Sequence, residues 1–352
     1  MITQASMPPA DHEIEVSVFG RGMGEAIVAH LGGGRWLTVD SCLDEDDVPV
    51  ALRYLRRMGV EPETALQLVA VSHWDSDHVG GLATLFATAR SARFACSTTL
   101  QDPDLVSELV RATDRSMPER RKRSIDQFAG VFAELWQRRE QPVWGIRGTV
   151  LWEEADLRVW SLSPSSRTQT ESLRNLIANT QRSTAPSRER RNYLTMVMWV
   201  EVNAHRILLG GDLMRAPAGA WATVIGSPGR RGDRGQVFKV PHHGARSGHD
   251  KRVWDELLAP EVPAAVTAFT RSRLPTASDR ERLRASTPNA YLAGATAEAP
   301  TRTDEDRALI ATGTASAGTE PLVGPLGHIR LRAGNDSPRA WTVETFGNAI
   351  RI

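Results

Sequence analysis

Residues 66–81 carry the most informative pattern in the sequence. The run LQLVAVS at 66–72 is almost continuously apolar, which is typical of a strand buried on both faces. It leads directly into HWDSDH at 73–78 and then into Gly80 and Gly81, after which apolar residues recur at helical spacing. Two histidines and two aspartates at the end of a buried strand can converge on a metal ion without distorting the strand. The pattern therefore predicts a strand–loop–helix unit with metal ligands in its loop.

Two later strand ends carry the same kinds of side chain. Asp212 follows an apolar strand in the motif Gly-Gly-Asp, and His242 and His243 follow another in Val-Pro-His-His-Gly. Either motif alone is weak evidence, because a strand-end aspartate often caps a helix and paired histidines are common on surfaces. Together with residues 73–78, they predict one site assembled from several strand ends.

The flanking segments predict an ordered mixture of strands and helices. Residues 13–40 show apolar alternation broken by glycine-rich turns, which predicts an antiparallel meander. Residues 44–59 predict a helix that Asp44 caps and Gly59 ends.

The order of these segments predicts the architecture. Strands and helices alternate in both halves of the chain, which favours two sheets packed face to face with helices outside. We therefore expect an α+β fold, a four-layer αββα sandwich, with residues 1–352 forming a single domain. Within it we expect a helical insertion at about 101–141 and a flexible loop at about 165–192.

Composition excludes several classes of protein. The 43 Lys and Arg residues balance 42 Asp and Glu residues, so no bulk charge draws the chain to nucleic acid or membrane. Two cysteines cannot build a disulfide framework, and no apolar run is long enough to span a bilayer. We expect a cytoplasmic protein with no membrane partner. Basic residues could bind phosphate locally or could simply be solvated, namely Arg120, Arg121, Arg123, Arg188, Arg190, Arg191, Arg230, Arg231, Arg234 and Arg246.

In this order, the motifs resemble those of the metallo-β-lactamase fold superfamily, specifically its competence-type branch of DNA-uptake channel proteins and stand-alone bacterial hydrolases. The resemblance covers most of the chain. It runs through Gly22-Met23-Gly24-Glu25-Ala26, Thr38-Val39-Asp40, His73 to His78, Leu162-Ser163-Pro164, Gly211-Asp212 and Val240-Pro241-His242-His243-Gly244. It implies an αββα sandwich with one or two divalent metal ions, most often zinc, and cleavage of phosphate esters.

The resemblance also implies a role for each polar residue in these motifs. Six residues would bind metal: His73 and Asp75 the first ion, Asp77, His78 and His243 the second, and Asp212 both. His242 would contact the substrate phosphate, and we expect it to point away from His243 because neighbouring side chains of an extended segment lie on opposite sides. Asp40 would orient a ligand histidine through its other ring nitrogen.

Two departures from the family pattern concern the first ion. Asp75 stands where the usual His-x-His-x-Asp-His motif has its second histidine, and an oxygen ligand there favours Mn²⁺ or Mg²⁺ over Zn²⁺. Many members bring a further histidine from the middle of the chain, but no histidine lies between His78 and His205. Ser163 stands near its expected position. We therefore expect the first ion to bind more weakly than the second.

Three functions fit these residues. The leading hypothesis is a metal-dependent hydrolase that uses a metal-activated water, as a phosphodiesterase or nuclease on a phosphate ester such as nucleic acid or a nucleotide. Asp77 or Asp212 would accept the proton, and His242 would hold the phosphate. A lactone, thioester or β-lactam hydrolase of the same fold is one alternative. A non-catalytic regulatory binding module with a degenerate first metal site is the other, and the sequence does not choose among them.

Overall fold

The computed structural model describes residues 7–101, 119–171, 192–215, 220–226, 233–294, 325–335 and 340–352, without the side chains of residues 101 and 119–123. The described strands form two eight-stranded sheets. The first sheet has the order β15-β14-β1-β2-β3-β4-β5-β6. Its strands are β1 (Glu13–Gly20), β2 (Glu25–Leu31), β3 (Trp36–Val39), β4 (Leu66–Val71), β5 (Arg93–Ser97), β6 (Val143–Gly145), β14 (Gly327–Gly334) and β15 (Thr342–Gly347).

The second sheet has the order β16-β13-β12-β11-β10-β9-β8-β7. Its strands are β7 (Val150–Glu154), β8 (Leu157–Ser161), β9 (Met198–Val202), β10 (His205–Leu209), β11 (Val237–Lys239), β12 (Ala264–Thr267), β13 (Ala290–Ala293) and β16 (Ala349–Arg351). The predicted meander is confirmed, because β1, β2 and β3 pair in antiparallel succession.

The described α-helices are α1 (Val50–Arg57), α2 (Pro62–Ala65), α3 (Leu82–Thr88), α4 (Glu119–Arg138), α5 (Ala220–Ile225) and α6 (Ala277–Ser286). None of them is both long enough and apolar enough to cross a membrane. Within the expected insertion at about 101–141, α4 is helical, whereas residues 102–118 lie outside the described residues. Of the expected loop at about 165–192, residues 166–171 are helical, and residues 172–191 lie outside the described residues as well.

Alternating side chains on each strand separate the layers. In β4, Leu68 and Ala70 belong to an apolar cluster that also contains residues of the second sheet, whereas Val69 and Val71 pack with α1, α3 and α4. In the second sheet, Trp199 lies on the opposite face and packs with Trp221 of α5. Two sheets therefore enclose one core and each carries helices on its outer face. This confirms the predicted α+β four-layer sandwich.

One predicted cap is wrong. The residue before α1 is Pro49, and Asp44 caps no backbone N–H group of the helix, although its Oδ2 pairs with the Arg53 guanidinium of α1. Its Oδ1 instead accepts hydrogen bonds from the backbone N–H groups of Asp46 and Val48, each at 3.0 Å. Asp44 thus closes the preceding loop, because a carboxylate satisfies nearby N–H groups in a turn as readily as at a helix start. Gly59 follows the helix with a φ of 71°, as predicted for a left-handed C′ residue.

Parallel strand pairs determine where the polar residues meet. Strand β3 is parallel to β4, and β10, β11 and β12 are parallel to one another. The carboxyl ends of parallel strands lie at one edge of a sheet, and the loops that follow them gather there. The loops after β4, β10 and β11 contain the motifs that the sequence singled out.

Candidate metal centre

The loop between β4 and α3 presents four buried side chains, those of His73, Asp75, Asp77 and His78. Gly81 ends this loop with a φ of 71°, and a Cβ there would lie 2.4 Å from Leu43 Cδ2. Only glycine fits both that conformation and that space. The loop therefore packs closely against the loop after β3 at Gly81, and its four polar side chains are buried.

Two loops of the second sheet complete the cluster. Asp212 follows β10 and His243 follows β11, and both are buried. Asp212 Oδ2 lies 3.6 Å from His78 Nε2, 3.6 Å from His243 Nε2 and 3.9 Å from His73 Nε2. One carboxylate oxygen is therefore the common neighbour of three imidazoles.

Asp77, His78, Asp212 and His243, here called the second-ion group, have the spacing of a single coordination sphere. Asp77 Oδ2 lies 3.2 Å from His243 Nε2 and 3.7 Å from His78 Nε2. Asp212 Oδ2 is 3.6 Å from each of the same two nitrogens. Ligands about 2.1 Å from a tetrahedral ion stand about 3.4 Å apart. These nitrogen–oxygen distances lie on either side of that value.

His73, Asp75 and Asp212, here called the first-ion group, are spaced more widely. His73 Nε2 is 4.0 Å from Asp75 Oδ2 and 3.9 Å from Asp212 Oδ2. Both distances exceed those of the second-ion group, so an ion bound here would require its ligands to move inward.

Hydrogen bonds fix the tautomers of all three histidines. Asp40 Oδ2 lies 2.8 Å from His78 Nδ1 and also accepts the Ser72 hydroxyl at 2.8 Å. Because the Ser72 proton goes to Asp40, Ser72 Oγ accepts from His73 Nδ1, 3.0 Å away. Thr267 Oγ1 donates to Glu25 and accepts from His243 Nδ1 at 3.0 Å. Nδ1 of each ring therefore donates to its partner, and Nε2 is the nitrogen that faces the cluster and would bind a metal ion. The contact predicted for Asp40 is present.

Burial and neighbouring charges raise the pKa of one histidine of the cluster and lower that of another. Burial lowers the pKa of His78, but Glu25 and Asp40 outweigh it and hold that pKa well above its ordinary value. Burial and the nearby His78 lower the pKa of His73. Burial raises the pKa of Asp212, but His243 and His78 outweigh it and hold that pKa well below the usual range.

Several polar atoms of the cluster fit a bound cation. His73 Nε2, His78 Nε2 and both carboxylate oxygens of Asp212 are buried without a hydrogen-bond partner. Such atoms are costly in a protein interior unless something pairs with them. Lone pairs of imidazole and carboxylate are what divalent transition metals bind. The donor set therefore suits a divalent metal ion.

Glu25 is a buried acid that the sequence did not single out as a ligand. It groups with His78, Asp212 and His243, with one donor atom of each residue within 4.8 Å of the others. Its oxygens, however, lie 3.6 Å from His78 Nδ1 and 3.8 Å from His243 Nδ1, on the protonated side of both rings. They contact Lys239 at 2.5 Å and Thr267 at 2.6 Å. Glu25 therefore lies behind the two imidazoles rather than among the converging Nε2 atoms.

His242 lies next to His243, but not on an extended segment as the sequence argument assumes. Residues 242–244 form a single 3₁₀ turn, with a φ of 51° at both histidines. Hydrogen bonds from Gly244 N to Pro241 O (3.0 Å) and from Ala245 N to His242 O (2.9 Å) hold this turn. The premise of alternating sides is therefore wrong. The two side chains still differ, since His243 is buried whereas His242 is half-buried and its Nδ1 pairs with Ser247 Oγ at 3.0 Å.

Ser163 and Trp74 have contacts that support the fold. Ser163, near the expected position of the missing histidine, donates to Thr195 O at 2.7 Å and accepts from Val197 N–H at 2.9 Å. Its hydroxyl thus joins the backbone of residues 195–197. Trp74, between His73 and Asp75 in the sequence, packs in the core between the first sheet and its helices.

The arginines proposed for phosphate contacts are only partly described. Arg246 is exposed in the turn that follows His243. Arg234 precedes β11 and donates to Leu258 O at 2.7 Å, at the end of the strand opposite the cluster. The side chains of Arg120, Arg121, Arg123, Arg188, Arg190, Arg191, Arg230 and Arg231 lie outside the described part of the chain.

Neither a protein-family model nor a curated protein matches the chain. Among solved structures, it is similar to the metallo-β-lactamase fold protein YhfI from Bacillus subtilis, with 11% identity over 79% of this chain and 95% of that one and a TM-score of 0.40. It is similar to a Cronobacter sakazakii metallo-β-lactamase with a HARLDQ motif, with 15% identity and a TM-score of 0.33. That match covers 58% of this chain and 61% of the other, so the chain spans less than two thirds of the Cronobacter protein. Because these identities and TM-scores are low, the candidate centre rests on the geometry of this chain's own residues.

Proposed function

We propose that the chain is a metal-dependent hydrolase of the metallo-β-lactamase superfamily, of its competence-type branch, and that it acts on phosphate esters. One observation carries the hydrolase proposal. The second-ion group places two imidazole nitrogens and two carboxylate oxygens 3.2–3.7 Å apart across each nitrogen–oxygen pair, in a buried site. A bound divalent cation would supply Lewis acidity and lower the pKa of a water molecule.

The charge of the site supports two ions. Among the described residues, five buried carboxylates surround it, with Lys239 as the one buried ammonium group; the acids are Glu25, Asp40, Asp75, Asp77 and Asp212. With neutral histidines this leaves four negative charges, which two divalent cations would neutralise. Uncompensated buried charge is strongly unfavourable. The first ion would be held by His73, Asp75 and Asp212, and the second by Asp77, His78, Asp212 and His243.

The remaining roles belong to the chain's own groups. Asp77 and Asp212 are the carboxylates that would accept a proton from the attacking water. His242, adjacent to the centre and held by Ser247, would donate a hydrogen bond to an oxygen of the substrate.

Exposed arginines support a phosphate ester over a lactone or β-lactam. The loops after β10, β11 and β12 leave the sheet at one edge. Each loop carries an exposed arginine three or four residues after Asp212, His243 or Thr267. They are Arg215 after Asp212, Arg246 after His243 and Arg271 after Thr267. Guanidinium groups bind phosphate oxygens in bidentate fashion. A neutral lactone offers them no such partner.

The test combines a metal inventory of the purified protein with a panel of three generic substrates: a bis-aryl phosphate, an aryl lactone and a chromogenic β-lactam. We expect close to two divalent ions per chain and turnover of the phosphodiester alone. Turnover confined to the lactone or β-lactam would replace the substrate class. Bound metal without turnover of any substrate would favour the regulatory binding module.

A further inference from the structure

A buried ion pair lies directly beneath the candidate centre. Glu25 is the first residue of β2 in the first sheet, and Lys239 is the last residue of β11 in the second. Both side chains are fully buried, and Lys239 Nζ is 2.5 Å from Glu25 Oε1. A buried pair of this kind contributes little net stability, because desolvation of the two charges offsets their attraction. Stability alone therefore gives no reason for a lysine and a glutamate at these two buried strand ends.

Lys239 also contacts the loop that carries Asp212. Its Nζ donates to Gly211 O at 2.9 Å and lies 3.9 Å from Asp212 Oδ1. Gly211 has a φ of 50°, and a Cβ there would stand 2.5 Å from Thr195 Cγ2, so the backbone passes this point in one narrow path. The ammonium group therefore fixes the carbonyl that immediately precedes Asp212.

The second oxygen of Glu25 reaches His243 through one hydroxyl. Glu25 Oε2 accepts from Thr267 Oγ1 at 2.6 Å, and Thr267 Oγ1 lies 3.0 Å from His243 Nδ1. Threonine has one hydroxyl proton, which the carboxylate takes, so its oxygen accepts the Nδ1 proton of His243. His243 Nδ1 also lies 3.3 Å from Thr267 O. Nε2 is therefore the ring nitrogen of His243 that faces Asp77 and Asp212.

These contacts join the two sheets where the two sets of ligands meet. His73, Asp77 and His78 belong to the first sheet's loop, whereas Asp212 and His243 belong to the second sheet. We propose that Glu25, Thr267 and Lys239 form a cross-sheet positioning relay that aims His243 and Asp212 at the ligands of the first sheet and so sets the affinity for the second ion. This inference rests on the proposed function for its metal.

Two substitutions of Thr267 form a matched pair that tests the role of its hydroxyl. Thr267→Ser keeps the hydroxyl, whereas Thr267→Val keeps the shape and removes it. Titration of chelator-treated protein with Zn²⁺ and with Mn²⁺ should show Thr267→Val weakening the tighter binding event by about 10- to 100-fold, the usual effect of losing a group that orients a ligand. Thr267→Ser should bind like the unmodified chain. Equal affinity in the valine and serine variants would overturn the relay.

The ion pair is tested by a double variant, since either single change leaves a buried charge alone. Glu25→Gln/Lys239→Met replaces both charges with neutral side chains of similar size. We expect its metal-free melting temperature to match that of the unmodified chain while its metal affinity falls by at least about tenfold. If the pair had only a structural role, the double variant would keep both the metal affinity and the melting temperature of the unmodified chain. That outcome would count against the relay.

A measurement on metal-free protein separates this inference from the proposed function. The ¹⁵N shifts of the imidazole ring should report His243 protonated on Nδ1 in the unmodified chain, and a mixture of tautomers in Thr267→Val. An unchanged tautomer in the valine variant would overturn the relay whether or not metal binds. An unmodified chain that shows the expected tautomer but takes up no divalent metal would instead overturn the proposed function.

Discussion

The two ligand groups of the candidate centre share Asp212 but differ in spacing and in what stands behind their histidines. In the second-ion group, nitrogen–oxygen distances are 3.2–3.7 Å, and His78 Nδ1 pairs directly with Asp40. In the first-ion group they are 3.9–4.0 Å, and His73 reaches the same carboxylate only through Ser72.

The comparison shows that Asp40 affects His78 and His73 to different degrees. A direct carboxylate contact raises the basicity of an imidazole and fixes its ring, whereas a neutral hydroxyl between them fixes the ring with less effect on basicity. Together with the oxygen ligand Asp75, this predicts a tight second ion and a weaker, harder first ion. Four experiments probe that inequality.

Removal of Asp212, which both groups share, together with His78, which belongs only to the second-ion group, should have the largest effect on metal binding. In His78→Ala/Asp212→Ala, each group loses a ligand, so we expect loss of nearly all bound metal and a fall in turnover of more than about 10³-fold. Metal analysis after gel filtration gives the stoichiometry. His249→Ala, a half-buried histidine outside the centre, is the control and should keep its metal. Full stoichiometry in the double variant would remove the assignment of both groups.

The adjacent histidines should differ in kind. His243→Ala should lose the tighter ion and activity together, because its Nε2 belongs to the second-ion group. His242→Ala should keep its metal and lose about 10²–10³ in kcat, the loss expected on removal of one preorganised donor. Bound metal and turnover are measured in both variants. A metal-free His242→Ala protein would show that the two roles are exchanged.

The sequence predicted one side of the centre better than the other, for a physical reason. The four candidate ligands in residues 73–78 share one loop after a buried strand, so local spacing alone groups them. Asp212 and His243 lie on separate loops, and only the parallel pairing of β10 with β11 brings them together. Strand-end position gave that signal, and the αββα arrangement followed from the order of the elements.

The residues behind the ligands could not be predicted in the same way. Glu25 begins β2, whereas Lys239 and Thr267 end β11 and β12, and Glu25 and Thr267 are 242 positions apart. Their contact exists only because the two sheets pack together, which no local pattern encodes. The turn at His242 is a similar case, since a Cβ at Gly244 would lie 3.2–3.3 Å from Val266, Leu283 and Pro275, which come from other parts of the chain.

Replacement of the unusual ligand should narrow the difference between the groups. Asp75→His restores a nitrogen donor to the first-ion group, so zinc should gain about tenfold over manganese there, equivalent to about 1.4 kcal/mol. The unmodified protein should work at least as well with Mn²⁺ as with Zn²⁺. Reconstitution of metal-free protein with each ion, followed by activity assays, compares the two. If both proteins work only with zinc and equally well, the argument from ligand hardness is wrong.

The smallest expected effect is a difference in proton release. The pKa of His78 is raised well above its ordinary value of 6.5, so the metal-free protein holds a proton on this residue at neutral pH. The second ion needs the Nε2 lone pair and must displace that proton. Binding of the second ion should therefore release about one proton, and its affinity should fall as pH decreases, by about tenfold per pH unit.

The first-ion group should behave differently, because the pKa of His73 is lowered and its ring is already neutral at pH 7. Calorimetric titrations in two buffers of different ionisation enthalpy count the protons for each binding event. Asp40→Asn is the matched variant, since loss of the carboxylate lowers the pKa of His78 and should reduce the count for the second ion. Acidification should thus weaken the tighter ion first and bring the two affinities together. Equal proton release for both ions would mean that the carboxylate behind His78 does not distinguish the groups.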